Sequence, residues 1–236
     1  MSVYNRTASK ADDLVKAGAT YAESPQALAK SVDVLFLMLG YPHDVEKVVL
    51  DPETGIANHL KEGAYLVDHT TSSPGLAEKI ASQLKAKGIH SVDAPVSGGD
   101  IGAKNGKLVT MIGGEDEAIK YCLPLLNCYS AECKHMGGPG AGQHTKMANQ
   151  IMIATTMIGL CEGLIYGHKA GLKLDELINL LQKGAAGSFS MEKLGPRMLR
   201  RDFEPGFYVE HFVKDLGICL DEGKRMGISL PGTALA

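Results

Sequence analysis

Two short motifs carry groups that suit the chemistry of a small hydroxy acid. The first, residues 93–103, follows an apolar, strand-like run and contains Ser97, Gly98 and Gly99. A serine hydroxyl and the bare backbone N–H groups of two glycines can converge on one carboxylate. The second motif, residues 140–150, places Lys146 early in a predicted helix. An anion cradle and a helix-borne lysine together predict an enzyme that acts on a small hydroxy acid.

Lys146 is the leading candidate for proton transfer. Asn149 lies three residues further on, so both side chains leave the predicted helix from one face. A lysine in a partly dry cleft can have its pKa lowered and then exchange a proton with a substrate oxygen. A solvated lysine near a helix start is the alternative. His144 is a competing proton carrier, because the ordinary pKa of histidine lies nearer neutrality.

Three further segments lie where an α/β sheet binds ligands, beyond the carboxyl ends of predicted strands. Residues 5–7 contain Arg6, and an arginine at the end of the second strand of a dinucleotide fold can pair with a ribose 2′-phosphate. A surface arginine without a ligand is the alternative. Residues 38–39 end another strand. Residues 70–71 follow the next strand, although these threonines could simply cap a helix.

Composition excludes several classes of function. The 236 residues carry a net charge of −3 and no run of Lys or Arg, so neither nucleic acid nor an anionic membrane is an expected partner. Five cysteines without a Cys-x-x-Cys motif indicate a reducing compartment and no disulfide framework. Their spacing matches no usual zinc pattern, and no metal site is predicted. The apolar run at residues 32–40 is too short to cross a bilayer, and no targeting segment is recognised.

The elements that must position these residues fall into two groups. Strand-like runs alternate with amphipathic stretches before about residue 135, which predicts a largely parallel α/β sheet. Ser24-Pro25 and Ser73-Pro74 each give an N-cap followed by proline at the first helical position. The predicted strands are Val32–Leu39, Ala64–Val67, Ile89–Ala94 and Leu108–Ile112.

The pattern becomes helical after Gly142. Six residues spaced 4-3-4-3-4 predict a long helix that is buried along one side: Met147, Ile151, Ala154, Ile158, Cys161 and Ile165. Further helices are predicted at residues 174–182, 191–199 and 209–226. The last carries Lys214-Asp215, which taken alone would be a solvated charge pair, beside an apolar face of Val213, Leu216 and Leu220. We therefore predict an α/β domain at residues 1–140 and an all-α domain at residues 141–236.

Together, residues 93–99, 140–149 and 213–216 resemble the three signature motifs of the β-hydroxyacid dehydrogenase family, and most closely those of its 3-hydroxyisobutyrate dehydrogenase-like members. Three separated motifs in the right order are far more specific than any one. The resemblance covers essentially the whole chain. It implies a Rossmann-like NAD(P)-binding domain of the 6-phosphogluconate dehydrogenase type, followed by an all-α domain.

The resemblance also implies roles for individual residues. Lys146 would be the general acid/base on the substrate hydroxyl. The substrate would be held by Ser97, Gly98, Gly99 and Asn149. NADP or NAD would be contacted by Asn5, Arg6, Thr7, Met38, Leu39, Thr71, Phe207, Lys214 and Asp215. The reaction implied is reversible hydride transfer between a 3-hydroxy acid and its semialdehyde, as in branched-chain amino acid catabolism.

The sequence also departs from the family pattern. The printed chain lacks the first strand and the Gly-x-Gly-x-x-Gly turn of the pyrophosphate site, and it lacks the last helices of the α-domain. We therefore expect a fragment, or a chain truncated at both ends. A glyoxylate, succinic or tartronate semialdehyde reductase is one alternative function, and a non-catalytic assembly partner of intact homologues is another. The full-length form is expected to be a homo-oligomer, in the cytoplasm or the mitochondrial matrix.

Overall fold

The computed structural model describes all residues from 1 to 236. The chain forms two compact units, Met1–Lys146 and Met147–Ala236. The boundary predicted from the sequence, after residue 140, lies at the start of the long helix. The boundary between the two compact units, after Lys146, lies in the second turn of that helix.

The first unit alternates strands and helices, as the sequence predicts. Its strands are β1 Ser2–Val3, β2 Thr20–Tyr21, β3 Val34–Leu37, β4 Tyr65–Asp68, β5 His90–Asp93, β6 Val96–Ser97, β7 Leu108–Gly114 and β8 Ser130–Gly137. Its α-helices are α1 Asp12–Lys16, α2 Pro25–Lys30, α3 Pro42–Leu50, α4 Pro74–Lys85, α5 Gly99–Lys104 and α6 Asp116–Leu126. Short 3₁₀ helices occupy Ala8–Ala11 and Ile56–Asn58. All four predicted strands are confirmed with small differences at their ends, whereas β2, β6 and β8 were not predicted.

The strands form two sheets. Strands β1 and β2 pair in parallel in a sheet of their own. The larger sheet has the order β3-β4-β5-β7-β6, and β8 also pairs with β7. Strand β7 runs antiparallel to β5 and β6, and β8 is parallel to β7, so two strands of the sheet run opposite to β3, β4 and β5, which the sequence did not indicate. Strands β3, β4 and β5 are adjacent and parallel, which brings their carboxyl ends to one edge.

Apolar side chains form two separate clusters in this unit. One cluster packs β3 and β4 against α2, α3 and α4, and includes Val45, Leu66 and Leu84, which are 0–1% exposed. The other packs α6 against β4, β5 and β7 through residues such as Val67 and Ile112. Each fully buried Val, Leu or Ile contributes roughly 1.5–3 kcal/mol to folding. The predicted caps are confirmed, since the hydroxyls of Ser24 and Ser73 accept hydrogen bonds from the first turns of α2 and α4.

A histidine lies at the edge of the second cluster with both ring nitrogens in hydrogen bonds. The Nδ1 atom of His69 is 2.6 Å from the Ala94 carbonyl oxygen, and Nε2 is 2.8 Å from the Tyr129 hydroxyl. A carbonyl oxygen only accepts, so Nδ1 carries the proton and Nε2 accepts from Tyr129. The Phe36 ring stacks on the imidazole. Burial lowers the pKa of His69 below 6.5, although the Ala94 bond opposes this shift.

We expect His69 to make stability pH-dependent. The unfolded chain takes up a proton at His69 as the pH falls through 6.5, whereas the folded chain resists it, so stability is lost towards acid pH. The slope from this one group is at most about 1.4 kcal/mol per pH unit. His69→Gln removes it, and the stability difference between wild type and variant should be smaller at about pH 5 than at about pH 7.5. Urea unfolding at both pH values measures this, and an equal difference at both would contradict it.

The second unit is helical. Its elements are the remainder of α7 Ala141–Lys169, then α8 Leu174–Leu181, a π-helix at Ser190–Leu194, α9 Gly195–Leu199, α10 Val209–Arg225 and α11 Pro231–Leu235. The predicted helices are confirmed. The segment predicted as one helix at residues 191–199 is a π-helical turn followed by α9.

The prediction that one side of α7 is buried along its whole length is wrong for the second half of the helix. Met147 and Ala154 are buried, but Cys161 and Ile165 are exposed, and Leu160 is buried instead. Leu160 packs with Ile178 and Met191 of the following helices, so contacts with α8 and the π-helix decide which face of α7 is covered. By length and apolar composition α7 could also span a membrane, and a single helix of this kind is weak evidence for a span.

Candidate active site

Lys146 is buried and held against the segment that carries Ser97. Its side chain is 7% exposed, and Nζ donates a hydrogen bond of 2.9 Å to the carbonyl oxygen of Val96. Val96 directly precedes Ser97 in β6. The predicted proton carrier and the predicted carboxylate cradle are therefore brought together by β6 and the second turn of α7, although they lie about fifty residues apart in the sequence.

The cradle depends on two glycines with positive φ. Gly98 has φ 126° and Gly99 has φ 63°, values at which a side chain would be strained. A Cβ at Gly98 would also lie 3.2 Å from the Leu108 side chain. Both glycines are exposed and Ser97 is half-buried. Solvent and ligands can therefore reach the backbone at the turn between β6 and α5.

The carboxylate of Asp93 fixes the start of α7. Its Oδ1 accepts the Gly140 N–H at 2.8 Å and its Oδ2 accepts the Gln143 N–H at 2.9 Å. Burial raises the pKa of Asp93 above its ordinary value, and the N–H donors oppose that shift. The positive end of the α7 dipole favours the ionised carboxylate. Since Asp93 ends β5 and begins the cradle motif, it joins that strand to the helix of Lys146.

Gln143 makes a second link from α7 to the sheet. Its side chain is fully buried, and its Nε2 donates to the Thr70 carbonyl oxygen at 2.7 Å. Its Oε1 accepts the Ser72 N–H at 2.9 Å. These bonds hold the loop that carries Thr71, a predicted cofactor contact. Neither Asp93 nor Gln143 was among the site residues predicted from the sequence. The available signal was that both are polar residues inside otherwise apolar or glycine-rich motifs.

Gly142 allows the close approach that these links need. A Cβ at Gly142 would lie 2.5 Å from the Asp93 carbonyl oxygen and 2.6 Å from that of Met111. Gly113 has a similar role, because its Cβ would lie 2.5 Å from Asp93 Oδ1. The glycines at residues 137–142 thus serve a tight turn and close packing, and Gly140 has φ 88°.

The candidate cofactor residues of the large sheet lie at the carboxyl ends of β3 and β4. Thr70 is fully buried, and its Oγ1 accepts the Leu39 N–H at 2.8 Å. It therefore joins the two strand ends and does not cap α4, whose cap is Ser73. Met38 is 66% exposed, and Thr71 is half-buried. The exposed apolar side chain of Met38 at this sheet edge can contact an apolar part of a dinucleotide.

Residues 5–7 follow β1 in the small sheet. All three side chains are exposed, and the Asn5 Oδ1 accepts the Thr7 N–H at 2.9 Å, which shapes a short turn. Arg6 lies within this turn. An exposed guanidinium can pair with a phosphate, and the role of Arg6 at a 2′-phosphate stays a prediction.

In the second unit, Lys214 and Asp215 form a buried ion pair, and the expectation of a solvated pair is wrong. Lys214 Nζ lies 2.8 Å from Asp215 Oδ1, with side-chain exposures of 12% and 0%. The Asp215 Oδ2 accepts from Gln150 Nε2 at 2.7 Å. On the same helix face, Val213 is exposed while Leu216 is buried, so the predicted apolar face is shifted.

Asn149 contacts Gln150, which was not among the site residues predicted from the sequence. The Asn149 Nδ2 donates to Gln150 Oε1 at 2.7 Å. Asn149 is half-buried and Gln150 is 3% exposed. The competing proton carrier, His144, is half-buried. Phe207 lies before α10 and is 52% exposed.

Comparisons with known proteins agree with this architecture. Residues 1–138 match the NAD binding domain of 6-phosphogluconate dehydrogenase. Residues 140–236 match the NAD-binding domain of NADP-dependent 3-hydroxyisobutyrate dehydrogenase. Together the two matches cover nearly the whole chain.

Individual relatives are longer than this chain. The probable 3-hydroxyisobutyrate dehydrogenase-like 1, mitochondrial, of Arabidopsis thaliana is 53% identical over 236 residues, which are 100% of this chain and 70% of the relative. The 2-hydroxy-3-oxopropionate reductase of Escherichia coli is 34% identical, covering 95% of this chain and 76% of the relative. The structure of Psf3 in complex with NADP+ and 2-OPP has a TM-score of 0.89 at 28% identity, covering 100% of this chain and 83% of that one.

The fold and these matches define an NAD(P)-dependent oxidoreductase that acts on CH–OH groups, with a Rossmann-like domain followed by a helical domain. The chain belongs to the β-hydroxyacid dehydrogenase family, among its 3-hydroxyisobutyrate dehydrogenase-like members.

Proposed function

We propose that the protein interconverts 3-hydroxyisobutyrate, or a closely similar 3-hydroxy acid, and its semialdehyde. The observation that carries this proposal is the buried contact of Lys146 Nζ with the Val96 carbonyl, one residue before the Ser97 hydroxyl. It holds a proton-carrying group beside a candidate carboxylate cradle. The names of the relatives support the choice of substrate class.

The proton of the substrate hydroxyl passes to Lys146 in the oxidation direction and returns from it in the reduction direction. Ser97 and the backbone of Gly98 and Gly99 hold the substrate carboxylate. NAD or NADP, when bound, would supply the acceptor for the hydride that leaves the carbinol carbon with two electrons. In the second unit, Asn149 binds the substrate and Lys214 contacts the cofactor.

The cofactor is NAD or NADP, and we infer that NADP is preferred. Arg6 is exposed after β1 and supplies a planar cation for a 2′-phosphate. Asn5, Thr7, Met38, Leu39 and Thr71 would hold the remainder of the nucleotide at the strand ends. Asp215 is fully buried against Lys214, so it acts by holding that lysine in place.

A panel of aldehydes and hydroxy acids tests the proposal. The purified chain is assayed for oxidation of NADPH and NADH with four aldehydes: methylmalonate semialdehyde, tartronate semialdehyde, succinate semialdehyde and glyoxylate. The reverse reaction is assayed with 3-hydroxyisobutyrate. We expect turnover of the 3-hydroxyisobutyrate pair with NADP above NAD. Binding of either cofactor without any turnover would contradict the catalytic proposal and support a non-catalytic assembly partner.

A second candidate is a tartronate semialdehyde reductase. The similarity to the 2-hydroxy-3-oxopropionate reductase of Escherichia coli favours it. The chemistry at Lys146 would be the same, because a carbonyl oxygen receives a proton as the carbon receives a hydride. Higher kcat/KM for tartronate semialdehyde in the same panel would select it.

We also propose that the protein assembles as a homo-oligomer and binds neither nucleic acid nor a membrane. Large apolar side chains of α7 and α8 lie exposed, among them Met152, Ile165, Tyr166 and Leu180. A second copy would cover such a surface. The mitochondrial name of one relative supports a matrix location, and the cytoplasm is the alternative. Sedimentation of the protein alone measures its oligomeric state. Co-sedimentation with liposomes measures whether it binds a membrane.

A further inference from the structure

The side chain of Gln143 holds the loop of Thr71 from both sides. Its Nε2 donates to the Thr70 carbonyl oxygen at 2.7 Å, and its Oε1 accepts the Ser72 N–H at 2.9 Å. A residue of a neighbouring parallel strand would bond the same two backbone groups. Gln143 is 0% exposed, so water does not replace either bond. The backbone around Thr71 is therefore held by a side chain of α7.

Gln143 is also fixed to the end of β5 and lies one turn before Lys146. Its N–H donates to Asp93 Oδ2 at 2.9 Å. Residues three apart on a helix leave from one face, with Cβ atoms about 5–6 Å apart. Lys146 is held by its bond of 2.9 Å to the Val96 carbonyl oxygen. The loop of Thr71 and the Nζ of Lys146 are thus joined through a single turn of α7.

The proposed reaction needs such a connection. In the oxidation direction the C–H and O–H bonds of one carbinol break and a C=O bond forms. The hydride leaves with its electron pair for the bound cofactor, and the proton passes to Lys146. The two acceptors must therefore be held against two atoms that are bonded to each other. A misplacement of about 1 Å can lower the rate about 10²-fold, even when both ligands still bind.

We propose that Gln143 is a positioning residue that sets the place of the cofactor-contacting loop at Thr71 relative to Lys146. This inference rests on the proposed function for the roles of Thr71 and Lys146. Because Gln143 is fully buried and both ends of its amide are bonded to the loop, it acts on the reaction through these two residues. Loss of its amide should slow the chemical step far more than it weakens the binding of either ligand.

The connection can be measured without a ligand. The ¹³Cε signal of Lys146 is compared in wild type and in Gln143→Met, which nearly keeps the volume and removes both bonds to the loop. We expect this signal to shift in the variant. Thr145→Val is the control, because it removes only the bond of the Thr145 hydroxyl to the Ala141 carbonyl oxygen within α7. It should leave the Lys146 signal in place, since residue 145 leaves the helix from another side.

Kinetics test the role in the reaction. We expect Gln143→Met to lower kcat with 3-hydroxyisobutyrate and NADP by at least about tenfold, and to leave the Kd of NADP within about threefold of wild type. The primary deuterium isotope effect on kcat should be at least as large as in wild type, because the chemical step is the one that is slowed. Thr145→Val should keep kcat and Kd within about twofold. A parallel loss of kcat and NADP affinity in Gln143→Met, or a kcat within about twofold of wild type, would overturn the inference.

Gln143→Glu keeps the inference testable if Gln143→Met does not fold. The introduced carboxyl accepts the Ser72 N–H in both protonation states, but it donates to the Thr70 carbonyl oxygen only when protonated. The ratio of wild-type kcat to variant kcat should therefore be several times smaller at about pH 5.5 than at about pH 8. A ratio that does not change with pH would overturn the inference.

The titratable groups around position 143 set the sign of this pH dependence. Burial and the carboxylate of Asp93, which contacts the N–H of residue 143, raise the pKa of the introduced carboxyl. Lys146, one turn along α7, opposes that shift. Asp68 and His69 precede Thr70 in the same segment, and their own titration is common to wild type and variant at each pH.

The two kinds of measurement separate this inference from the proposed function. If wild type turns over no member of the substrate panel, the proposed function fails, and the ligand-free spectra decide the role of Gln143. A shifted Lys146 signal in folded Gln143→Met would then support the connection between the loop and the lysine. An unchanged signal would overturn it. The dispersion of the backbone amide spectrum shows whether each variant is folded.

Discussion

Gly142→Ala is expected to lower the free energy of unfolding by more than about 3 kcal/mol, because the new Cβ meets backbone and cannot be accommodated by a side-chain rotation. It would lie 2.5 Å from the Asp93 carbonyl oxygen and 2.6 Å from the Met111 carbonyl oxygen. Alanine favours a helix over glycine by up to about 1 kcal/mol, so intrinsic propensity would predict the opposite sign.

Two glycines further along α7 give matched controls for this substitution. No atom lies within 4 Å of a Cβ built at Gly159 or Gly163. Gly159→Ala and Gly163→Ala should therefore stabilise the protein by a few tenths to about 1 kcal/mol. Urea unfolding of the three variants measures the contrast. If Gly142→Ala were as stable as Gly159→Ala, the packing of α7 against β5 and β7 would be wrong.

Lys146→Met is expected to lower turnover by a factor of roughly 10²–10⁴, the usual contribution of a general acid or base. Methionine fills the buried volume but carries no proton. Cofactor binding should be nearly unchanged, because the candidate nucleotide contacts lie elsewhere in the chain. Lys146→Arg should be impaired as well, since a guanidinium keeps its charge and does not accept the substrate proton. Steady-state kinetics with 3-hydroxyisobutyrate and NADP, together with NADP calorimetry, make the measurement.

The matched control for Lys146 is the lysine at the other end of the same helix. Lys169 is exposed in the last turn of α7, and Lys169→Met should leave kcat and KM within about twofold of wild type. Full activity in Lys146→Met would remove Lys146 from the mechanism and leave His144 as the next candidate. Equal losses in both variants would indicate a general effect of charge.

Local rules accounted for much of the first unit. The Ser24 and Ser73 caps, the apolar face of α4 and the strands from β3 to β5 follow from interactions within a few residues. Strand β6 was missed because two residues give no periodicity, and it exists through its pairing with β7. The predicted buried face of α7 was incorrect beyond Ala154, because the helices packed against α7 determine which of its residues are covered.

The sequence by itself determined the family and the order of the two units, and it nominated the cradle residues and Lys146 as site candidates, since these inferences depend on residue types at short, fixed spacings. The tertiary structure alone decided what holds them in place. Asp93, Gln143 and Gln150 act through partners 47–73 residues away. A buried polar group must find a hydrogen-bond partner wherever the folded chain supplies one, and sequence spacing carries no record of which partner that is.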